Sequence, residues 1–196
     1  MTTEADRQLL LRVAREAIAA HVDPSRQSAS ESAIGSTIGS AIRNPQSAIL
    51  ARPGGAFVTL RKGGELRGCI GHIEPSERLG DVVPRCAVAA CSSDPRFPPV
   101  TAGELDAVDI EISLLGALEP IGGPEDISVG RHGLVVERGW QRGLLLPQVA
   151  TEWEWDAATF LAHTCQKAGL SRDAWHKGAK IWRFEAEVFG EGREGR

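Results

Sequence analysis

The amino-acid sequence predicts an α+β fold, a single compact unit built from two related halves. Two strand–turn–strand patterns, at residues 57–70 and 134–146, are each followed by a loop and a stretch with helical periodicity. A shift of 75 residues places Arg142-Gly143-Leu144-Leu145 on Arg67-Gly68-Cys69-Ile70, and the helices that follow superpose under the same shift. We interpret this correspondence as a degenerate internal duplication of a hairpin, a loop and a helix.

Length and composition are those of an ordinary globular protein. The chain has 196 residues, of which 42% are hydrophobic and 24% charged, and its net charge is −4 without a basic block. This charge argues against nucleic-acid binding through a broad phosphate-contacting surface. The N-terminus MTTEADRQLL lacks the features of a signal peptide, and no apolar run approaches the roughly 20 residues that span a bilayer. We therefore expect a soluble, cytoplasmic protein without a membrane segment.

The four cysteines, at positions 69, 86, 91 and 165, form no C-x-x-C pair. Their spacing matches neither a zinc site nor an iron–sulfur cluster. The sequence therefore predicts free thiols in a reducing compartment, with no bound metal and no cofactor.

Composition and periodicity divide the chain into four segments. They are an N-terminal helical segment (1–24), a variable Ser/Ala/Gly-rich segment (25–50), the main domain (51–190) with half-repeats at about 55–92 and 130–169, and a frayed tail (191–196). In the first segment the apolar spacing predicts a helix over residues 3–20, with Thr3 and Asp6 as its capping box.

The first hairpin is centred on Gly63-Gly64, a pair suited to a primed two-residue turn, which needs positive φ. Counting outward from the turn predicts the pairs Lys62 with Glu65, Leu60 with Arg67, and Val58 with Cys69. Because side chains alternate along a strand, we expect Arg67 and Cys69 on one face, roughly 7 Å apart. Leu66 and Ile70 are then expected on the other face with Phe57, which we interpret as the core face.

This arrangement predicts a chemical role for Cys69. A guanidinium at Arg67 favours the thiolate, the nucleophilic form of cysteine. Gly68 and Gly71 are expected to leave backbone N–H groups approachable for an anionic ligand. His72 is expected on the opposite face if the strand runs straight. The alternative is that Cys69 is a small buried hydrophobe in a packed strand.

The hairpin is followed by a predicted loop over 76–81 and a predicted helix over 82–91. Pro84 is expected in the first turn of this helix, where its missing N–H costs little. Cys86 is expected on the apolar side, within the core.

DPRFPP at 94–99 is a loop stiffened by three prolines, which presents Asp94, Arg96 and Phe97. Two interpretations are open: Asp94 only caps a turn and pairs with Arg96, or the loop forms one wall of a pocket. Thr101 and Glu104 are expected to form a capping box just after the loop.

Residues 108–115 alternate between apolar and polar side chains, which predicts a half-buried strand. Glu111 on this strand is either solvated or, if it points into a cleft, a base or the partner of an arginine. The Gly/Pro-rich loop at 119–130 carries no phosphate-binding or dinucleotide-binding fingerprint.

The second half repeats the order of elements. Residues 147–150 are expected to end its hairpin. Asp156 is expected to cap a helix that runs through Ala168, with Gly169 in the left-handed conformation. Cys165 is expected in the core of this helix, and residues 181–189 are expected to form the last strand.

The hexapeptide LRGCIG at 66–71 resembles the signature of the AMMECR domain family, as in protein A of the AmmeMemoRadiSam system. Further segments between Gly55 and Phe189 also resemble the family and stand in the family's order: FVTL before the hexapeptide, and DPRFPP, IEIS, HGL, GLLLPQVA and WD after it. The resemblance implies two β/α repeats that share one curved, barrel-like sheet with flanking helices. It implies no reaction. AMMECR-like domains are often encoded beside, or fused to, Memo-like and radical-SAM proteins, which implies a shared pathway and physical partners.

Three function classes remain open. The first is a small-ligand or protein-binding module centred on the LRGCIG cleft, and the second is an enzyme that uses Cys69 as a thiolate nucleophile or redox thiol, helped by Arg67 and Glu111. In the third, LRGCIG is only a packed strand. Leu144 replaces Cys69 in the second half, which favours a specialised role for the thiol. The candidate ligand-binding residues are Gly68, Gly71, His72, Asp94, Arg96, Phe97, His132 and Gln148.

Overall fold

The computed structural model describes residues 2–24 and 48–191. The variable segment therefore lies outside the described residues apart from 48–50, and so does the tail apart from residue 191. The described helices are α1 Glu4–Val22, α2 Ala48–Ala51, α3 Leu79–Ser92, α4 Pro147–Glu152 and α5 Ala157–Lys167. The strands are β1 Ala56–Lys62, β2 Glu65–His72, β3 Val108–Leu115, β4 Glu119–Pro120, β5 His132–Arg138, β6 Gln141–Leu145 and β7 Lys180–Gly190.

The chain forms two compact units, Met1–Leu114 with Glu187–Arg196, and Leu115–Ala186. In the first unit the strands β2, β1 and β3 pair antiparallel in that order. Alternate side chains of β1 and β3 share one hydrophobic core with the apolar stripe of α1 and with α3. Thr3 and Asp6 form the predicted capping box of α1.

In the second unit β5 pairs antiparallel with β6 on one side and with β7 on the other. Helix α5 packs its buried side chains into the core of this unit. Asp156 caps α5 by accepting a hydrogen bond from the backbone N–H of Thr159, and Gly169 has φ +73° after its end. These features of the helix agree with the sequence-based expectation.

The α+β class is confirmed: antiparallel strands and packed helices alternate through the described residues. Both hairpins, the strand at 108–115, the capping box of Thr101 and Glu104 and the last strand are also confirmed. None of the helices within 2–24 and 48–191 combines the length and apolarity needed to cross a membrane.

The register of the first hairpin differs from the predicted one. The turn is as expected, with Gly63 and Gly64 at φ +60° and +88° and Lys62 opposite Glu65. However, a β-bulge makes Arg67 an extra residue in β2, so Leu60 faces Gly68 and Thr59 faces Cys69. The predicted pairs of Leu60 with Arg67 and of Val58 with Cys69 are therefore wrong.

The bulge also changes which side chains share a face. Val58 now faces Ile70, and both pack with the core of the first unit. Phe57 lies on the other face with Thr59 and faces Gly71. The expectation that Phe57 shares a core face with Leu66 and Ile70 is wrong, because a one-residue shift exchanges the two faces of a strand.

Two helix boundaries also differ from the predicted ones. Helix α3 begins at Leu79, so Pro84 is its sixth residue rather than part of its first turn. Leu79 is fully buried, and Gly80 lies against Leu50. These contacts favour a helix that begins three residues before the predicted start at residue 82. Pro147, expected to end the second hairpin, instead begins the short helix α4.

Candidate functional site

Cys69 lies on β2, the strand at the edge of the sheet in the first unit. Its side chain is partly buried, and the hydroxyl of Thr59 donates a hydrogen bond to Cys69 Sγ at 3.3 Å. A thiol that was only a packing element would be fully buried. Partial exposure with a defined donor therefore weighs against the purely structural interpretation.

Three strands bring polar side chains into one row beside this thiol. Thr59 of β1 faces Cys69 on one side and Glu111 of β3 on the other. Residues directly opposite in antiparallel strands have Cβ atoms about 5 Å apart, so the three side chains are neighbours. One step further along β3, Ser113 is fully buried, and its hydroxyl has no hydrogen-bond partner among the described residues. Glu111 is thus part of the same row as Thr59 and Cys69, and it is partly buried.

The DPRFPP loop closes the edge of β2 with two charged side chains. The backbone N–H of Cys69 donates to Asp94 Oδ2 at 2.9 Å, and Arg96 donates to the carbonyl oxygen of Cys69 at 3.3 Å. Arg96 also donates to both carboxylate oxygens of Asp94, at 2.9 and 2.6 Å. Asp94 accepts the backbone N–H of Arg96 as well, so it shapes its own turn and pairs with Arg96, as the first interpretation expects, and it also contacts the motif. That the loop forms a pocket wall stays a prediction.

These contacts fix the electrostatics of the loop. The Arg96 guanidinium holds the pKa of the Asp94 carboxyl well below its usual range, and the backbone N–H groups of Cys69 and Arg96 add to this against the effect of burial. The pKa of Arg96 is raised, first by its hydrogen bonds to Asp94 and also by the nearby Cys69 sulfur. Arg96 remains half exposed, with 53% of its side-chain surface accessible.

The arginine beside the thiol is therefore Arg96, whereas Arg67 binds elsewhere. The Arg67 guanidinium donates to Glu104 Oε1 and Oε2 at 3.3 and 3.2 Å, and to the carbonyl oxygens of Pro98 and Pro99. The expected pairing of Arg67 with Cys69 is not formed, because the bulge makes Arg67 the extra residue and the 3₁₀ turn at 102–107 supplies a carboxylate.

The two glycines of the motif serve close packing. A Cβ on Gly68 would lie 2.2 Å from the carbonyl oxygen of Ala90 in α3, and a Cβ on Gly71 would lie 2.2 Å from the Phe57 ring. The expectation that Gly68 exposes backbone to a ligand does not match this geometry, since the residue is buried beneath a helix.

Two further candidates of the first unit lie to either side of this site. His72 faces Ala56 and is thus on the opposite face from Cys69, as expected, with Nε2 3.1 Å from a carboxylate oxygen of Glu77. The Phe97 ring lies under the Arg96 guanidinium, 5.4 Å from ring centroid to Cζ. Phe97 thus supports the arginine rather than the thiol.

The other cysteines are buried, as expected for Cys86 and Cys165. Burial raises the pKa of the Cys86 and Cys91 thiols to about 11, and it raises the pKa of Cys165 as well. In the part of the chain that the structure describes, no three His, Cys, Asp or Glu side chains are grouped so that they could hold a metal ion.

The last two candidates belong to the second unit. His132 begins β5 and is 7% exposed, with Nδ1 accepting the backbone N–H of Ser128 at 3.0 Å. Gln148 is the second residue of α4 and is partly buried.

Sequence reasoning missed Thr59, Glu104 and Ser113 as parts of the first site. Thr59 lies in a strand that was recognised, but its position opposite Cys69 depends on the bulge. Ser113 lies in the strand whose alternation was recognised, opposite Phe57. Glu104 was recognised only as a capping residue, although the same carboxylate also binds Lys62 and Arg67. A capping glutamate next to a predicted sheet edge is a signal that could have found it.

Comparisons with known proteins agree with the fold. The family model described as AMMECR1 matches residues 5–189, a span that includes α1. A protein of Methanothermobacter thermautotrophicus is 53% identical over 144 residues, which are 70% of this chain and 75% of that protein. A protein of Methanocaldococcus jannaschii is 47% identical over 146 residues, 70% of this chain and 73% of its own. The crystal structure of an uncharacterised protein from Pyrococcus horikoshii superposes with a TM-score of 0.77 at 37% identity, covering 93% of this chain and 90% of that chain.

Proposed function

The chain belongs to the AMMECR1 family, and on that premise we propose that the first unit binds a small anionic ligand beside Cys69. The observation that carries the proposal is the position of Arg96. Its side chain is half exposed, and its guanidinium is fixed by two side-chain hydrogen bonds to Asp94 and donates to the backbone carbonyl oxygen of Cys69. A fixed, accessible guanidinium next to a partly exposed thiol is suited to recognise an anion.

Binding is favoured over catalysis by what surrounds the thiol. A thiol nucleophile needs a base or a dedicated cation to keep it ionised. His72 is on the other face of β2, and Arg67 is bound to Glu104. Arg96 donates two side-chain hydrogen bonds to Asp94 and one to the backbone carbonyl oxygen of Cys69, so it is not a cation dedicated to the thiol.

The second candidate is a thiol-dependent enzyme, and one contact favours it. The Thr59 hydroxyl donates to Cys69 Sγ at 3.3 Å, which orients the sulfur beside a proton donor. Glu111, opposite Thr59, would then be the acid or base of the reaction.

Protection of the thiol from alkylation tests both candidates. Native protein is treated with iodoacetamide over a range of pH, with and without inorganic phosphate, sulfate or acetate, and labelling of each cysteine is read by peptide mass spectrometry. We expect Cys69 to label much faster than Cys86, Cys91 and Cys165, and at least one anion to slow that labelling saturably. The protection should disappear in Arg96→Gln.

A matched control is Arg85→Gln. Arg85 also binds a carboxylate with two hydrogen bonds, to Glu77, and is similarly exposed at 51%, but it lies on α3. Protection should survive this change. If no anion protects Cys69 but Thr59→Val slows its labelling, the enzyme candidate replaces the binding module. If Cys69 labels no faster than the buried cysteines, both candidates fail.

The proposal also includes partners. AMMECR-like domains are often encoded beside Memo-like and radical-SAM proteins, so the ligand site would act together with such proteins. Support for this part is the resemblance alone. Titration of the chain with a Memo-like protein from the same organism, followed by light scattering, tests it directly: absence of a complex at about 10 μM of each protein would remove stable association from the proposal.

A further inference from the structure

The second unit contains a cavity of about 530 Å³ at the start of β5, separate in sequence from the Cys69 site. Its volume is within the range of small-molecule sites. Its polar lining residues are Glu119, Ser128, Arg131, His132, Arg183 and Glu185.

The tautomer of His132 is fixed by its backbone contact. Nδ1 lies 3.0 Å from the backbone nitrogen of Ser128, and a backbone N–H can only donate. Nδ1 therefore carries no proton, and the proton of the neutral imidazole is on Nε2. Burial lowers the pKa of His132, and the charges of Arg183 and Arg131 lower it further, against the opposite effects of Glu185 and Glu119. The imidazole thus offers this cavity a neutral N–H donor.

Two arginines flank the imidazole, each held by a glutamate. Arg131 contacts Glu185 at 2.6 Å, while Arg183 contacts Glu119 at 3.0 Å and donates to the carbonyl oxygen of Asp126 at 2.7 Å. Two positive and two negative side chains with a neutral histidine give a net formal charge of zero. A dianion would add uncompensated charge to such a site, whereas a single carboxylate could share the arginine donors.

We propose that this cavity binds a small molecule through one carboxylate group, which accepts hydrogen bonds from His132 Nε2–H, from Arg131 and from Arg183. A carboxylate has only acceptor oxygens, so it matches a set of donors whose own negative partners are already bound. Glu119 and Glu185 hold the guanidinium groups in place and disfavour ligands of higher charge.

The test is nitrogen-15 NMR of the histidine side chains in the intact chain, which has five histidines. The His132 signals are assigned from their loss in His132→Asn, whose amide oxygen can still accept the Ser128 N–H. Acetate, pyruvate and benzoate are titrated separately, with inorganic phosphate as the comparison. We expect the Nε2–H tautomer in the free protein and saturable shifts of the His132 signals with at least one carboxylate.

Four variants locate the binding. Arg131→Gln and Arg183→Gln should each weaken carboxylate binding about ten- to a hundredfold, the loss expected for a hydrogen bond to a charged group. Arg138→Gln is the matched control, because Arg138 ends the strand that His132 begins, about 20 Å away. Cys69→Ser should leave the titration unchanged, which separates this site from the first.

Several results would overturn the proposal. They are an Nδ1–H tautomer, no saturable shift with any of the three carboxylates, phosphate binding as tightly as the best carboxylate, or equal effects of Arg131→Gln and Arg138→Gln. Arg131 is largely exposed, so Arg131→Gln keeps the test valid even if Arg183→Gln does not fold.

Discussion

Asp94 accepts the backbone N–H of Cys69 at 2.9 Å, so a loop carboxylate takes the place that a neighbouring strand would occupy. Arg96 donates to the carbonyl oxygen of Cys69, so both backbone groups of Cys69 have a partner in the loop. An edge strand otherwise presents unpaired backbone groups, which are prone to pair with other chains. The charged pair therefore protects the edge at the position where the thiol is held.

The first prediction concerns the stability that Asp94 contributes. Asp94→Asn should lower the free energy of unfolding by about 2–3 kcal/mol near pH 7, because a buried carboxylate with four hydrogen bonds becomes neutral. Arg96 is half exposed, so water replaces part of the lost interaction. Urea unfolding of both proteins measures the difference. Asp106→Asn, an exposed change in the same unit, should stay within about 0.5 kcal/mol.

The sign of the pH dependence follows from the lowered pKa of Asp94. A carboxyl whose pKa is lower in the folded state than the unfolded value of about 3.9 stabilises the fold fully above that value. Its contribution is lost as the pH falls toward the folded-state pKa. The stability difference between wild type and Asp94→Asn should thus shrink below about pH 4. An equal difference at about pH 7 and pH 3 would contradict this assignment.

The second prediction separates Arg67 from the thiol. Arg67→Gln should cost about 1–3 kcal/mol of stability, because its side chain is 13% exposed and its guanidinium donates to Glu104 and two carbonyl groups. Lys62→Gln is the control, since Lys62 binds the same carboxylate from an exposed position and should cost less than about 1 kcal/mol. The rate of iodoacetamide labelling at Cys69 should be the same in Arg67→Gln and wild type. A large drop in that rate would restore Arg67 as the group that activates the thiol.

Local patterns predicted the elements but not the contacts of the site. The Gly63-Gly64 turn, the capping boxes of Thr3 and Thr101 and the alternation of 108–115 each depend on neighbouring residues, and all four were predicted. The bulge at Arg67 depends on packing under α3 and on the carboxylate of Glu104, which are distant in sequence. Counting from the turn assumes a regular pairing of the two strands. One extra residue in β2 made the prediction wrong: the arginine beside Cys69 is Arg96, not Arg67.

The internal duplication stays a prediction, although one pair of residues agrees with it. Gly68 and Gly143 superpose under the shift of 75 residues; Gly68 lies beneath the backbone of α3, and Gly143 lies beneath the backbone at the C-terminal end of α5. The two hairpins differ where the function is proposed, since β6 pairs with β5 without a bulge. The bulge and the cysteine are therefore both specific to the first half.

The third prediction concerns Glu154, which has φ +52° between two tryptophans. The left-handed region costs a residue with a Cβ about 1–2 kcal/mol, and glycine avoids this cost at the expense of a more flexible unfolded chain. Glu154→Gly should therefore raise the free energy of unfolding by about 0.5–1 kcal/mol. Glu16→Gly, in the middle of α1, is the control and should lower it by about 1 kcal/mol. Destabilisation by both changes would mean that Glu154 makes contacts worth more than its strain.

The fourth prediction tests whether the motif glycines serve packing. Gly68→Ala should lower the free energy of unfolding by about 2–3 kcal/mol, because the new Cβ would lie 2.2 Å from the backbone oxygen of Ala90, which cannot rotate away. Gly143→Ala should have a similar effect, since its Cβ would lie 2.3 Å from the backbone nitrogen of Ala168. Gly103→Ala is the control: nothing lies within 4 Å of the position its Cβ would take, so its stability should stay within about 0.5 kcal/mol of wild type.

Urea unfolding and Cys69 labelling are measured on all three. If Gly68→Ala were as stable as Gly103→Ala but lost anion protection of Cys69, Gly68 would be a ligand-contacting residue rather than a packing one.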